Sequence, residues 1–207
     1  MALAGLLALN KRFPMLWAQQ QQREWVPLLG AGRMPRDLPG QTATLVGWGP
    51  IGQELAQLLS ALGLNVIAVR TQATGVQDGV EMVRFEQLPS VLPRTDWLIL
   101  ACPLTDTTRG MVDARTLQAL PKGAHLINVA RGEVVVQDAL IEVLQSGHLG
   151  GAFIDVFAHE PLPADSPLWS LPNVMVTPHA AGHSDGNGER VNQMFLDKLL
   201  RWSDGQH

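Results

Sequence analysis

The chain has 207 residues, of which 46% are hydrophobic and 16% are charged, a composition typical of a globular protein rather than a disordered one. A net charge of −4 gives no electrostatic reason to expect nucleic acid or an anionic membrane as a partner. The single cysteine, Cys102, excludes an intrachain disulfide and favours a reducing cytoplasm. Because the chain has no tyrosine, oxidoreductases that use a tyrosine as proton donor are also excluded.

The N-terminal segment, residues 1–25, is predicted to be helical with a break near Pro14. Its apolar beginning does not indicate a secretory signal, because the basic pair at 11–12 follows the apolar run instead of preceding it. The run is also too short to span a bilayer. We therefore predict a helical connecting segment at 1–25, a glycine- and proline-rich loop over 26–40, and one domain over 26–207.

From Thr42 onward, short apolar runs alternate with amphipathic segments. This pattern predicts a doubly wound α/β fold, with a parallel sheet covered by helices on both faces. The predicted strands are TATLVG, NVIAVR, WLILAC, HLINVA, GAFIDVF and VMVT. The predicted helices are 51–62, 113–120, 137–146 and about 184–202, with a weaker segment at 86–94 that two prolines interrupt.

A glycine motif lies between the first predicted strand and the first predicted helix. The sequence GWGPIG at 47–52 fits GxGxxG, and its strand–turn–helix context distinguishes it from an ordinary glycine-rich turn. Gly47 permits the tight turn, Gly49 lets backbone approach a pyrophosphate, and Gly52 allows close packing of the helix. We predict that Pro50 and Ile51 also contact the dinucleotide, at a helix N-terminus that favours phosphate.

The end of the second predicted strand indicates which dinucleotide is preferred. A carboxylate at this position would accept hydrogen bonds from the ribose of NAD, but the sequence has Arg70, with Thr71 beside it. A guanidinium can bind a 2′-phosphate through charge-assisted hydrogen bonds. We therefore predict NADP rather than NAD, the alternative being that Arg70 is a solvated arginine at a strand end.

Three further segments stand out: CPLTDTTRGMVD at 102–113, LINVARGEVVVQDAL at 126–140, and GAFIDVFAHEPLP at 151–163 followed by LPNVMVTPHAAG at 171–182. They resemble segments of the D-isomer-specific 2-hydroxyacid dehydrogenases, and of the glyoxylate/hydroxypyruvate reductases in particular. Their order and their sequences, together with the dinucleotide motif, extend the resemblance over nearly the whole chain after Thr42. The resemblance implies a Rossmann fold and hydride transfer between NADP(H) and a small 2-oxo or 2-hydroxy acid.

The resemblance also implies a catalytic triad of Arg131, Glu160 and His179. An arginine can hold a substrate carboxylate and polarise the 2-oxo group, and a histidine can give a proton to the developing alkoxide. A carboxylate bonded to the other ring nitrogen fixes the tautomer and favours the imidazolium form. The other histidines lack this context, although His183 lies close enough in sequence to contact substrate.

Further coenzyme contacts follow from the same resemblance. Asp155 is expected to bind the nicotinamide carboxamide, and Cys102 is interpreted as a small apolar residue rather than a nucleophile. No metal site is predicted. The remaining residues expected to line the coenzyme are Pro103, Thr108, Val129, Ala130, Arg131, His179 and Gly182, together with Cys102.

One part of the family pattern is missing from this sequence. Family members have a second, substrate-binding domain built mostly from residues before the dinucleotide motif, and only about 40 residues precede Gly47 here. Loops of that domain close over the nicotinamide and exclude water. Two interpretations therefore stay open: an enzyme or its catalytic half, and a dinucleotide-binding module without turnover. An L-lactate or malate dehydrogenase shares the fold, but the sequence around Arg131 and His179 disfavours that class of enzyme.

The resemblance further implies a homodimer formed by the coenzyme domains. The expected surfaces are residues 1–25, 110–120 and 160–171, with Trp17, Trp25 and Trp169 as anchors, since aromatic residues are enriched at interface cores. Ordinary core packing of these tryptophans is the alternative.

Overall fold

The computed structural model describes residues 1–29, 34–72 and 74–203, and these residues form one α/β domain. The glycines predicted in the loop at 30–33 lie outside the described residues. In chain order the elements are α1 (Ala2–Asn10), α2 (Phe13–Gln22), β1 (Thr42–Val46), α3 (Pro50–Ala61), β2 (Asn65–Arg70), β3 (Gly75–Gln77), β4 (Val80–Arg84), α4 (Leu88–Val91), β5 (Trp97–Leu100), α5 (Ala114–Gln118), β6 (His125–Asn128), α6 (Gln137–Gln145), β7 (Gly151–Ile154), β8 (Val174–Val176) and α7 (Asn187–Ser203).

The strands form a single sheet in the order β3-β4-β2-β1-β5-β6-β7-β8. Every pairing is parallel except that of β3 with β4. The strand order reverses between β1 and β5, which is the point where a doubly wound sheet opens a crevice at the carboxyl ends of its strands. The predicted doubly wound Rossmann fold is therefore confirmed.

The apolar strands have two buried faces, which explains their continuous hydrophobic sequences. Along β1, Leu45 belongs to the core under α1 and α3, whereas its neighbour Val46 belongs to the core under α4, α5 and α6. Successive side chains of a strand point to opposite faces, so both halves of each run are buried. The helices α3 and α6 are amphipathic and bury only one side.

The N-terminal helices differ in how they pack. Helix α1 lies against the sheet, with Leu6 fully buried, and makes contacts to β6, β7 and α3. Helix α2 buries no residue. The break predicted near Pro14 falls at 11–12, where Arg12 has a φ of 59°, and Pro14 lies in the first turn of α2. The predicted domain boundary at residue 25 stays a prediction.

Two strands were not predicted from the sequence. Strands β3 and β4 form a short antiparallel hairpin around Asp78 and Gly79, whose φ values are 51° and 78°. An Asp-Gly pair with both φ values positive is the preferred two-residue hairpin turn, so the signal was present in the sequence. The weak segment at 86–94 consists of short helical turns, including α4, rather than one helix.

The last helix, α7, packs against little of the domain. None of its residues is buried, and its apolar side chains, such as Phe195 and Trp202, are 65% and 66% exposed. It runs close to the predicted span of 184–202. Among the described residues, no helix combines the length and the hydropathy needed to cross a membrane.

Candidate active site

The glycine motif forms a tight turn at the crevice between β1 and β5. Gly47 has a φ of 110°, and a Cβ on it would lie 2.6 Å from the carbonyl oxygen of Ala101. A Cβ on Gly52 would lie 2.2 Å from the carbonyl oxygen of Gly47, so both positions require glycine. Gly49, which caps α3, has no atom within 4 Å of a Cβ position. Pro50 and Ile51 are exposed beside it, so the helix N-terminus is open to a phosphate.

The residues expected to distinguish NADP from NAD follow at the next strand. Arg70 is the last residue of β2, where it is half-buried, and Thr71 is exposed directly after it. Strand β2 pairs with β1, and the N–H of Gly47 donates to the carbonyl oxygen of Val69 at 3.0 Å. Arg70 therefore follows directly on the residue that anchors the glycine turn.

The loop after β5 borders the same crevice. Cys102 is buried, and burial raises the pKa of its thiol to about 11, which agrees with its interpretation as a small apolar residue. Pro103 is exposed. The buried Thr108 donates from Oγ1 to the carbonyl oxygen of Pro103 at 2.7 Å and accepts from the N–H of Thr105 at 2.8 Å. Its side chain holds the loop in shape, and its contact with a coenzyme stays a prediction.

The loop after β6 carries Arg131. The buried side chain of Asn128 clamps this turn, since its Oδ1 accepts from the N–H of Ala130 at 3.0 Å and its Nδ2 donates to the carbonyl oxygen of Arg131 at 3.1 Å. The guanidinium of Arg131 donates to the carbonyl oxygen of Ala130 at 2.6 Å and has no acidic partner among the described residues. Val129 is half-buried behind it. The exposed guanidinium is therefore available to an anionic substrate.

Asp155, directly after β7, holds the loop that carries His179. It is 1% exposed, and its carboxylate accepts from the N–H groups of Ala180 and Ala181, both at 2.8 Å, and from Thr177 Oγ1 at 2.5 Å. The N–H of His179 donates to the carbonyl oxygen of Asp155 at 2.8 Å. These bonds keep His179 at a φ of 52°, an uncommon conformation for a residue other than glycine. Whether Asp155 also binds a carboxamide stays a prediction.

The structure joins two of the three predicted catalytic residues directly. His179 Nδ1 lies 2.8 Å from Glu160 Oε2, and Glu160 Oε1 accepts from the N–H of Phe157 at 2.9 Å. Partial burial raises the pKa of Glu160, but the hydrogen bonds from His179 and Phe157 outweigh that effect, so the pKa is lowered and the carboxyl is ionised at neutral pH. A carboxylate can only accept, so Nδ1 carries the hydrogen and Nε2 faces away as the nitrogen that can exchange a proton.

One glycine that the sequence reasoning did not single out brings Arg131 towards this pair. A Cβ on Gly132 would lie 1.9 Å from the carbonyl carbon of Phe157. The backbone after Arg131 therefore touches the backbone that leads into Glu160. Its position directly after a candidate arginine was a sequence signal, but the close approach follows only from the packing of two loops.

The last two candidates lie at the rim of this site. Gly182 and His183 are both exposed after the His179 loop, and Gly182 has no atom within 4 Å of a Cβ position. Within the described ranges, no group of three or more His, Cys, Asp and Glu side chains is placed to hold a metal ion.

The fold and the site together define a Rossmann dinucleotide-binding domain with a histidine–carboxylate pair and an arginine at the carboxyl ends of its strands. The family model described as the NAD-binding domain of D-isomer specific 2-hydroxyacid dehydrogenase matches residues 3–181. The chain belongs to this family.

Individual relatives agree with that assignment. The chain is 35% identical over 185 residues to a glyoxylate reductase from Korarchaeum cryptofilum, which covers 88% of this chain and 54% of that protein. It therefore spans about half the length of the curated relatives it matches.

Solved structures resemble the fold closely. A D-isomer specific 2-hydroxyacid dehydrogenase from Xanthobacter autotrophicus Py2, in complex with NADPH and MES, superposes with a TM-score of 0.86 at 33% identity, over 99% of this chain and 82% of that one. An NADPH-dependent glyoxylate/hydroxypyruvate reductase from Sinorhizobium meliloti, in complex with NADP and sulfate, gives a TM-score of 0.84 at 33% identity, over 98% of this chain and 63% of that one.

Proposed function

We propose that this chain binds NADP(H) and carries the catalytic residues for reduction of a small 2-oxo acid, of the glyoxylate or hydroxypyruvate type, to the 2-hydroxy acid. The observation that carries the proposal is the 2.8 Å contact between His179 Nδ1 and Glu160 Oε2, at the edge of the sheet that the carboxyl ends of its strands form. The coenzyme fits this edge, because the glycine turn leaves open space in front of the α3 N-terminus.

Each side chain has a role that its surroundings support. The guanidinium of Arg131 binds the substrate carboxylate and polarises the 2-oxo group. His179 donates a proton from Nε2 to the carbonyl oxygen, and Glu160 holds the ring through Nδ1 and compensates the positive charge of the imidazolium. The nicotinamide, when bound, supplies the hydride. Arg70 and Thr71 favour NADP(H) over NAD(H), a preference that matches the coenzymes named for the two similar structures.

The experiment measures NADPH oxidation by this 207-residue chain with glyoxylate and with hydroxypyruvate. We expect turnover that His179→Ala lowers by about 10²- to 10⁴-fold, the usual contribution of a general acid. His159→Ala is the matched control, because His159 is exposed next to Glu160, whereas the ion pair of Glu160 is with His179. Turnover that survives His179→Ala would contradict the assignment of the acid.

The alternative function gives a different result in the same experiment. A dinucleotide-binding module binds NADPH without oxidising it, because water exclusion and substrate positioning depend on groups beyond those of this domain. NADPH binding with no oxidation in the presence of either 2-oxo acid would support this alternative.

The coenzyme preference has its own test. We expect NADPH to bind at least about tenfold more tightly than NADH, and Arg70→Ala to remove most of that difference, since a charge-assisted hydrogen bond contributes about 1.5–3 kcal/mol. Equal dissociation constants for the two coenzymes would contradict NADP specificity.

We also propose a cytoplasmic homodimer that has no nucleic-acid or membrane partner. The side chains of Trp17, Trp25 and Trp169 are 63%, 95% and 54% exposed, which removes core packing as their explanation and leaves them available as interface anchors. Sedimentation at micromolar protein is expected to give a dimer, and a monomer alone would contradict it.

A further inference from the structure

The last residues of two neighbouring strands are both arginines. Strands β2 and β4 are parallel, and Arg70 is the register partner of Arg84. Neighbouring parallel strands lie about 5 Å apart, so the two side chains start within easy reach of a common ligand. Arg84 was hidden from sequence reasoning because β4 itself was not predicted.

Both side chains belong to the face of the sheet that α3 covers. Two residues before each arginine, Ala68 and Met82 are buried in the same core cluster as Leu55 of α3. Because alternate residues of a strand share a face, Arg70 and Arg84 point to that face as well. This is the side on which the open N-terminus of α3 offers its N–H groups to a phosphate.

The pair has no acidic partner of its own. The arginine ion pairs within the described ranges involve Arg36, Arg94 and Arg109, and none involves Arg70 or Arg84. Like charges directly opposite each other on neighbouring strands destabilise a sheet. A bound anion between them would reverse that effect.

We propose that Arg84 is the second guanidinium that binds the 2′-phosphate of NADP(H), opposite Arg70. The assignment rests on the proposed NADP(H) function and adds a specificity residue from a different strand. A phosphate monoester carries close to two negative charges and three acceptor oxygens, so it can take one charge-assisted fork from each arginine. The phosphates of the pyrophosphate belong instead to the α3 N-terminus.

The test compares two ligands that differ only in the 2′-phosphate, 2′,5′-ADP and 5′-AMP, by titration calorimetry. We expect Arg84→Gln to weaken 2′,5′-ADP by about 10- to 100-fold and to change 5′-AMP by less than about twofold. Arg84→Lys keeps the charge without the fork, so its loss should be intermediate. Lys122→Ala is the matched control, because Lys122 is an exposed cation just before β6, at the amino ends of the strands and away from Arg70 and Arg84.

Three results would overturn the assignment in distinguishable ways. If Arg84→Gln weakens both ligands equally, Arg84 contacts the adenosine instead of the 2′-phosphate. If Arg84→Gln leaves 2′,5′-ADP unchanged while Arg70→Ala weakens it, the NADP preference stands and only the role of Arg84 fails. If the unchanged protein does not distinguish the two ligands, both the NADP preference and the role of Arg84 fail. Because Arg84 is exposed, we expect the variants to fold, and thermal unfolding of each variant verifies this.

Discussion

The carboxyl ends of the parallel strands form one edge of the sheet, the carboxyl edge, and their amino ends form the other, the amino edge. A histidine lies near a carboxylate at each of these edges, and the environments of the two histidines are opposite. At the carboxyl edge, His179 is 46% exposed and hydrogen-bonded to Glu160. At the amino edge, His125 begins β6 and stacks on Trp97 with ring centroids 4.3 Å apart. Burial, followed by the nearby guanidiniums of Arg12 and Arg36, lowers the pKa of His125 to about 4, although the Asp96 carboxylate acts in the other direction.

This difference in environment means that His179 can exchange protons, whereas His125 packs in the interior of the fold. With its pKa near 4, His125 is neutral at neutral pH, so it contributes aromatic surface to the fold. His179 has a carboxylate on one ring nitrogen and an accessible second nitrogen, which are the requirements for a general acid. A histidine near a carboxylate is therefore not in itself evidence for catalysis.

Among the variants that compare the two edges, Glu160→Gln is expected to have the largest effect. The amide no longer fixes the ring tautomer or compensates the imidazolium, so we expect kcat for 2-oxo acid reduction to fall by about 10²-fold or more. Steady-state kinetics at saturating NADPH measures this. Asp96→Asn, the corresponding change beside His125, is expected to leave kcat unchanged, and equal losses in the two variants would remove the distinction between the edges.

The next effect concerns stability at the amino edge. The pKa of His125 lies below its usual 6.5, so the unfolded chain binds a proton that the folded chain does not as pH falls from about 6.5 to about 4. Stability is thus complete above about pH 6.5 and is lost progressively below it, by roughly 3 kcal/mol at pH 4. Denaturant unfolding at a series of pH values measures the loss.

His125→Phe is the control for this prediction. The phenyl ring keeps the stacking on Trp97 but cannot titrate, so the loss between pH 6.5 and pH 4 should shrink by that amount. An unchanged pH dependence in the variant would show that His125 is not the group responsible.

The smallest effect is that of Gly132→Ala. Its Cβ would lie 1.9 Å from the carbonyl carbon of Phe157, so the loops after β6 and β7 must separate. We expect a loss of about 1–3 kcal/mol in unfolding free energy, and a further loss of turnover because Arg131 moves away from Glu160. Gly188→Ala in α7, where the added carbon meets no atom within 4 Å, is the matched control. A stable and fully active Gly132→Ala variant would show that this contact does not position the site.

The central sheet could be predicted from the sequence because its strands are buried on both faces and appear as continuous apolar runs. The hairpin of β3 and β4 could not be found in that way, because β3 is exposed and polar, and only the Asp78-Gly79 turn indicated it. The chemistry of the site was predicted from the resemblance of the sequence segments around Glu160 and His179. The loop contacts made by Asp155 and Gly132 could not be predicted, since they depend on segments that are distant in sequence.

The coenzyme site at the carboxyl edge is tested most directly by mapping where NADPH binds, using amide chemical-shift changes in a two-dimensional NMR titration of the isotope-labelled chain. We expect the largest changes at the carboxyl edge, in the glycine turn at 47–52, at 70–72 and in the loop at 102–108, with the amides around His125 unaffected. Changes concentrated around 36–41 and 122–125, at the amino edge, would contradict the assignment of the coenzyme site.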